Sequence, residues 1–189
     1  WGDMGFNVLG SGLYLGQELL WKEQRIRLKM SAHRPNYSTA PILSSNGQAY
    51  SSLQQRTEQL FGTSVPELFF KEYNGQTIWL SVNVASFLNK RANGFPPSWI
   101  NIALGYGIED MYGAESNTWQ DAAGNQFSAP DHYQAKSQFY VSLDIDFERI
   151  PTKHKWLKTI FGILNIFKVP FPTLEINTAG EFKFHPFYF

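Results

Sequence analysis

The sequence predicts a mainly β fold, either an antiparallel sheet or a small, half-open β-barrel with flanking helices. Six segments alternate apolar and polar residues with a period of two, as half-buried strands do. Turn residues such as Asn74-Gly75 separate them, which favours antiparallel neighbours. We expect residues 1–189 to form one domain. In it, a helical segment at 1–24 continues an upstream helical part, and residues 25–189 form a β-rich part with a helix near 153–168.

The composition suits a chain that meets lipid or a large apolar partner, and it suits a soluble protein with a rich core equally well. Aromatic residues make up 16% and charged residues only 17% of the chain, against about 25% in ordinary domains. The 16 basic and 16 acidic residues balance, so there is no basic footprint for nucleic acid. The absence of cysteine excludes disulfides and thiolate metal sites.

The first segment predicts a helix that packs against another helix. Asp3 lies near its start, where a carboxylate suits the helix dipole, and Asn7 shares its face. Gly12 and Gly16 have the spacing that lets a second helix approach closely. Because several glycines weaken an isolated helix, we expect its partner in an upstream part of a longer product.

The remaining elements follow from changes of period and from turn signals. Pro66 suits the start of a helix, and Pro170 and Pro172 suit the end of one. The stretch from Met111 to Ser137 is polar and predicts a loop. The sequence thus predicts strands at 25–32, 77–88, 99–110, 138–150, 173–177 and 181–189, and helices at 53–61, 66–73 and 153–167.

Two predicted strands carry opposite charges on their polar faces, and we expect these faces to meet. The strand at 25–32 is basic on this face and the strand at 138–150 is acidic. The residues are Arg25, Arg27 and Lys29 on the first strand, and Asp144, Asp146 and Glu148 on the second. Two carboxylates on one face could also perform acid–base chemistry or bind a cation, so a hydrolase that uses Asp144 and Asp146 is one alternative.

The apolar faces of the strands are compatible with a soluble core under helices or with lipid contact. Two of them are five residues long, which spans about 30 Å and approaches a membrane strand. Aromatic residues near strand ends suggest a membrane girdle; they are Trp79, Trp99, Tyr106, Phe139 and Tyr140.

One strand has small residues on its polar side, which leaves room for another chain segment or for an apolar ligand in a cup. They are Asn101, Ala103, Gly105 and Gly107. A small outer-membrane barrel or cup that binds an apolar ligand or lipid is therefore a further alternative.

The last residues, EFKFHPFYF, resemble the aromatic terminal strand that the outer-membrane assembly machinery reads. Pro186 lacks a donor for the ladder, so we expect an edge strand. An edge strand whose rings cap the core explains the same residues. Phe187, Tyr188 and Phe189 are predicted contacts with a partner or the membrane.

The predicted helix near 153–168 is amphipathic and basic at its start. Trp156, Phe161 and Phe167 are its predicted contacts with a partner or the membrane, beside a lysine cluster. The helix could rest on anionic headgroups, or it could be a plain amphipathic helix over a core.

Several stretches together resemble an uncharacterised family of predicted periplasmic or outer-membrane proteins of Bacteroidota, related to the YfiM predicted lipoproteins. They are WGDMGFNVLGSGLYLGQELLWKEQRI, YNGQTIWLSVNVASFL, SWINIALGYGIEDMYG, FYVSLDIDFERI and KTIFGILNIFKVPFPTLEIN. The element of Asp3, Asn7 and Gly10 also resembles the last helix of VanZ-like membrane segments. The resemblance implies the C-terminal part of a longer product, located at the outer membrane or its periplasmic face, and it implies no activity.

No catalytic pattern accompanies these features. The four histidines, His33, His132, His154 and His185, lie in different segments without metal-ligand spacing. Neither a nucleophile elbow nor a phosphate-binding loop is present. We therefore expect a non-enzymatic protein without cofactor or metal, which binds a larger outer-membrane protein or complex. By association with the resemblance, that complex is a machine such as the type 9 secretion translocon, with this chain as an accessory or plug-type subunit.

Overall fold

The computed structural model describes residues 2–88, 95–114 and 116–188. The helices are α1 (Gly2–Trp21), α2 (Leu53–Phe61), α3 (Val65–Lys71) and α4 (Lys155–Leu164). The strands are β1 (Ile26–Ala32), β2 (Ile42–Leu43), β3 (Tyr50–Ser51), β4 (Gln76–Val82), β5 (Ile100–Glu109), β6 (Thr118–Gln120), β7 (Gln126–Ser128), β8 (Lys136–Ile145), β9 (Phe171–Asn177) and β10 (Phe182–Tyr188). Short 3-10 turns follow β4 and β8.

The main sheet has six strands in the order β1-β4-β5-β8-β9-β10, and every neighbouring pair is antiparallel. Each is one of the six segments whose alternation predicts a strand. The prediction of a mainly β, antiparallel sheet with flanking helices is confirmed. In the described ranges no ladder joins β1 to β10, so the sheet is open.

The register aligns the apolar positions of all six strands on one face of the sheet. One continuous row is apolar and runs through Leu28, Leu80, Leu104, Val141, Leu174 and Phe184. The adjacent row points to the opposite side and runs through Lys29, Trp79, Gly105, Tyr140, Glu175 and Lys183. The sheet therefore has one apolar face and one face of charged, aromatic and small residues.

The sheet curls strongly towards its polar face. The hydroxyl groups of Thr77 on β4 and Tyr188 on β10 lie 3.1 Å apart. These strands are four positions apart in the sheet, which in a flat sheet is about 19 Å. The rings of His33, just after β1, and Tyr188, the last residue of β10, are 5.7 Å apart. The two edge strands of the sheet therefore approach each other where each of them ends. The polar face is thus the inside of the curl.

Neither edge strand of the sheet is a regular, open strand. The backbone of Met30 on β1 accepts a hydrogen bond from Lys168 and donates one to Ile166, so the chain after α4 covers this edge. At the other edge, β10 has a register shift between His185 and Tyr188, around Pro186. The expectation that Pro186 marks an edge strand is confirmed. Covered and irregular edges resist pairing with further strands.

The long connections form a small apolar core at the end of the sheet near residues 32, 76, 109 and 136. Its buried members are Leu53, Tyr112, Trp119 and Phe127. The prediction of a plain loop between Met111 and Ser137 was wrong, because β6 and β7 form a hairpin there and β8 already begins at Lys136. In that hairpin the rings of Trp119 and Phe127 stack at 5.8 Å.

Helix α1 is joined to the opposite end of the sheet, where β1 begins, by the buried side chain of Gln17. The Gln17 amide oxygen accepts from the backbone N–H groups of Arg25 and Ile26, and its nitrogen donates to the Ile26 carbonyl oxygen. This contact fixes the turn between α1 and β1. The exposed side chains of α1 include Val8, Tyr14, Leu15, Leu19 and Leu20.

Candidate functional site

The interior of the curled sheet is polar and tightly bonded. Charged and amide side chains lie there fully buried, although such residues are rarely buried unless they are paired. They include Lys29, Asn101, Asp144, Lys168 and Glu175. In the described residues every buried polar side-chain atom has a hydrogen-bond partner. Complete pairing of this kind is what makes a polar interior stable.

The basic and acidic faces meet as predicted through five of the six residues, which form ion pairs between β1 and the segment of β8 and the turn after it. Lys29 and Asp144 form an ion pair of 2.7 Å with both side chains 0% exposed. Arg27 contacts Asp146 at 3.3 Å and Glu148 at 2.6 Å.

Arg25 does not take part in this contact with β8. Its guanidinium group pairs instead with Glu23 at 2.8 Å and lies over the rings of Trp21 and Phe87. The reason is positional, because Arg25 precedes β1 and lies in the turn from α1. The expectation that Arg25 faces the acidic strand was therefore wrong.

The two aspartates serve as hydrogen-bond acceptors for the fold. One oxygen of Asp144 accepts from Ser81 at 2.7 Å, and the other accepts from the backbone of Val169 at 3.2 Å. Asp146 accepts from Asn165 and pairs with Arg149 at 3.2 Å. Because these contacts engage both oxygens of Asp144, the arrangement supports the sheet rather than acid–base chemistry on a substrate.

A second ionic cluster lies towards the other end of the interior, around Glu175. Its oxygens contact the His185 ring at 2.6 Å and the Gln138 amide at 3.0 Å. Lys183 approaches Glu175 at 3.7 Å and Glu109 at 3.6 Å. This cluster has no signal in the local sequence, because Gln138 on β8 and Glu109 on β5 join it only through the register of the sheet.

Tyr188 was predicted to contact a partner or the membrane, but it is buried inside the sheet. Its hydroxyl group donates to Tyr140 at 2.7 Å, next to Thr77. The predicted aromatic girdle was likewise wrong for Trp79 and Tyr140, which are buried in the same interior. Their strand positions place them in the polar row, on the side opposite the apolar face.

The small residues of β5 do not line a space for a ligand. A Cβ atom at Gly105 would lie 2.7 Å from Cζ3 of Trp79, so the indole ring fills the room beside this glycine. Ala103 is buried, and Asn101 is bonded to Ser81 and Asn83. The predicted close approach of another segment to the small residues of β5 is made by β4, whose Trp79 indole ring packs against Gly105.

The outer face of the sheet, in contrast, is apolar and uncovered by the described part of the chain. We define it as the exposed apolar side chains of the six strands, Leu28, Ile78, Ile102, Leu104, Tyr106, Phe139, Val141, Leu143, Leu174, Ile176, Phe182 and Phe184. The face is convex because the sheet curls away from it. Soluble monomers rarely present so continuous an apolar surface.

The predicted contact residues of α4 and the C-terminal strand differ in their placement. Trp156 and Phe187 are exposed, Phe187 to 82%. Phe161 is half-buried against Phe147, with ring centroids 5.8 Å apart, and Phe167 is half-buried against Phe69. Phe189 lies outside the described residues.

Of the predicted packing residues of α1, Gly12 and Gly16 have no neighbour in the described part of the chain. A Cβ atom added at Gly12 or Gly16 would have no neighbour within 4 Å. Asp3 and Asn7 belong to α1, but their side chains lie outside what the structure describes. The glycine side of the helix is therefore open.

The described residues contain neither a metal-ligand cluster nor a membrane-spanning helix. No group of three or more histidine, aspartate or glutamate side chains is placed to hold a metal ion. Among the helices of the described ranges, none is long and apolar enough to cross a bilayer.

No family model, curated protein or solved structure matches this chain. The resemblance to the YfiM-related family stays a prediction. The distinguishing feature of this chain is the polarity of its sheet, with ion pairs such as Lys29–Asp144 inside the curl and apolar side chains outside it.

Proposed function

We propose that this chain is a non-enzymatic outer-membrane protein whose sheet is embedded in lipid and which serves as an accessory subunit of a larger complex. The observation that carries the proposal is the outer face: apolar residues point outward from the curl, and ion pairs such as Lys29–Asp144 point inward. Water favours the opposite arrangement, whereas polar-in and apolar-out alternation is typical of strands in an outer membrane.

The length of the strands and the shape of the face favour lipid over a single protein partner as the main cover. β5 and β8 have ten residues each, the length of a tilted membrane strand. A convex surface is covered evenly by fluid acyl chains, whereas a protein would need a matching concave surface. The filled interior, with Trp79 against Gly105, gives no support to a cup that holds a ligand.

Collision accessibility of single spin labels tests this proposal. The chain has no cysteine, so each introduced cysteine is the only labelling site. Leu104→Cys labels the outer face, and Leu43→Cys is a matched control because Leu43 is an equally exposed leucine outside the six-stranded sheet. After reconstitution into vesicles, we expect the label at 104 to collide with oxygen and the label at 43 with a water-soluble nickel chelate.

Equal chelate access at the two positions would contradict lipid contact of the outer face. A second variant, Val141→Cys, guards against a local effect, because Val141 is the cross-strand neighbour of Leu104. We expect it to give the same result as Leu104→Cys.

The part of the proposal that concerns a larger complex is supported by α1. Leu19 is 83% exposed, and the open side at Gly12 and Gly16 leaves room for another helix. A photo-crosslinking amino acid at position 19 should capture the partner in native membranes, whereas the same group at Gln59, exposed on α2, should not. Capture at neither position would argue against a partner on α1.

A further inference from the structure

A basic and apolar surface lies on α4 and the residues just before it. Lysines occur at 153, 155 and 158, and no aspartate or glutamate occurs from residue 150 to residue 174. In the described residues none of these three lysines forms an ion pair, although the chain as a whole has no net charge. This surface therefore carries a local excess of positive charge.

The geometry of α4 separates this charge from a set of exposed apolar side chains. At about 100° per residue, Trp156, Ile160 and Ile163 lie within one narrow sector of the helix. Lys155 and Lys158 point to the other side. All three apolar side chains are exposed, with Trp156 at 63%. An exposed apolar sector opposite lysines is the pattern of a helix that lies in a membrane interface.

Contacts with the sheet fix α4 at one end of the curl. The Asn165 side chain, at the end of the helix, accepts from the backbone of Phe147 at 3.0 Å and donates to Asp146 at 2.9 Å. The ring of Phe161 packs against Phe147. α4 is thereby held beside the end of β8, while the two long connections lie at the opposite end of the sheet.

We infer that α4 binds anionic lipid headgroups and holds this end of the sheet at the surface of an anionic leaflet. The inference rests on the proposed function and adds the chemistry of the lipid and the direction in which the sheet is inserted. Trp156 lies at the headgroup level, Ile160 and Ile163 reach the acyl chains, and the lysine ammonium groups extend to the phosphates. The long connections then lie on the far side of the membrane.

Vesicle flotation with neutralised lysines tests the inference. The full chain is diluted from detergent onto preformed vesicles of phosphatidylcholine, alone or mixed with phosphatidylglycerol. The wild type should partition more strongly onto the mixed vesicles, and about 0.5 M salt should remove the difference. Lys155→Gln with Lys158→Gln should weaken partitioning onto mixed vesicles by about 10- to 30-fold and leave phosphatidylcholine unchanged.

The matched control removes two positive charges at the opposite end, Arg34→Gln with Lys71→Gln, both exposed side chains. We expect the control to keep the preference for mixed vesicles. Equal wild-type partitioning onto both vesicles, or an equal loss in the control, would overturn the inference and leave the proposed function standing. Failure to bind either vesicle would instead overturn the proposed function, and the inference with it.

Discussion

Lys29 on β1 and Asp144 on β8 form an ion pair of 2.7 Å that is sealed inside the sheet, with both side chains 0% exposed. Their strands are three positions apart, about 14 Å in a flat sheet. The pair therefore both depends on the curl and helps to hold it. The ammonium group also donates to the Ile145 carbonyl oxygen at 2.7 Å.

Replacing Lys29 with Met should destabilise the fold, because Asp144 would keep its burial and lose its cation. Removal of one partner of a buried pair typically costs about 3–5 kcal/mol. Urea unfolding of the detergent-solubilised protein, followed by tryptophan fluorescence, measures this loss.

Combining Lys29→Met with Asp144→Asn should recover part of the loss, since the amide leaves no buried charge and keeps a hydrogen bond with Ser81. If the double variant were less stable than Lys29→Met alone, the unpaired charge would not be the cause of the destabilisation.

The hydroxyl group of Tyr188 should be worth more than that of an exposed tyrosine, because it bonds to residues on two other strands of the curl. Tyr188→Phe leaves the hydroxyl groups of Tyr140 and Thr77 without this partner. We expect a loss of about 1–3 kcal/mol in the free energy of unfolding. Tyr50→Phe is the control, since Tyr50 is 71% exposed and lies outside the main sheet, and its effect should be near zero. Similar losses for both variants would refute the role of the buried contact.

Period-two alternation was sufficient to predict the six strands, because apolar side chains occupy alternate positions on the outer face of each strand. It also predicted that the charges of β1 and β8 meet. It could not decide which face lies inside. That choice depends on the direction of curl, which involves contacts such as Thr77–Tyr188 between strands far apart in the chain.

Other features lack any local signal. β6 and β7 have three residues each, too few for a period to be recognised. Ser81 donates to Asp144 and accepts from Asn101 only because the register of β4, β5 and β8 brings them together, so their role in the interior has no signal in the local sequence. Tryptophan near a strand end suggests a membrane girdle, but the alternation of Trp79 with Ile78 and Leu80 places its side chain on the polar side of the sheet.

Substitution of Gly105 by Ala should be destabilising, because the new Cβ atom would lie 2.7 Å from the indole ring of Trp79. Overpacking of this kind costs about 1–3 kcal/mol. Unfolding in urea gives the difference from wild type.

A matched control is Gly12→Ala, where a Cβ atom has no neighbour within 4 Å. Because Gly12 lies inside α1, alanine there should stabilise by about 0.5–1 kcal/mol. A Gly105→Ala protein as stable as wild type would mean that Trp79 can move away from β5.

Glu72 and Tyr37 form a polar contact in the connections outside the main sheet. The Tyr37 hydroxyl group donates to the buried carboxyl group of Glu72 at 2.7 Å. Burial raises the pKa of Glu72 above its ordinary 4.5, with the hydrogen bonds opposing this shift. The folded state therefore binds this proton more tightly than the unfolded state, and the contribution of Glu72 to stability falls as the pH rises through its folded pKa.

Tyr37→Phe should cost about 1–3 kcal/mol at neutral pH, because the carboxylate would lose its donor. Glu72→Gln should keep the hydrogen bond and remove the buried charge, so its stability relative to wild type should be greatest at neutral pH and should shrink as the pH falls towards 4.5. Urea unfolding of both variants across this range measures the effect. A difference between Glu72→Gln and wild type that grows on acidification would have the opposite sign and would exclude a raised pKa at Glu72.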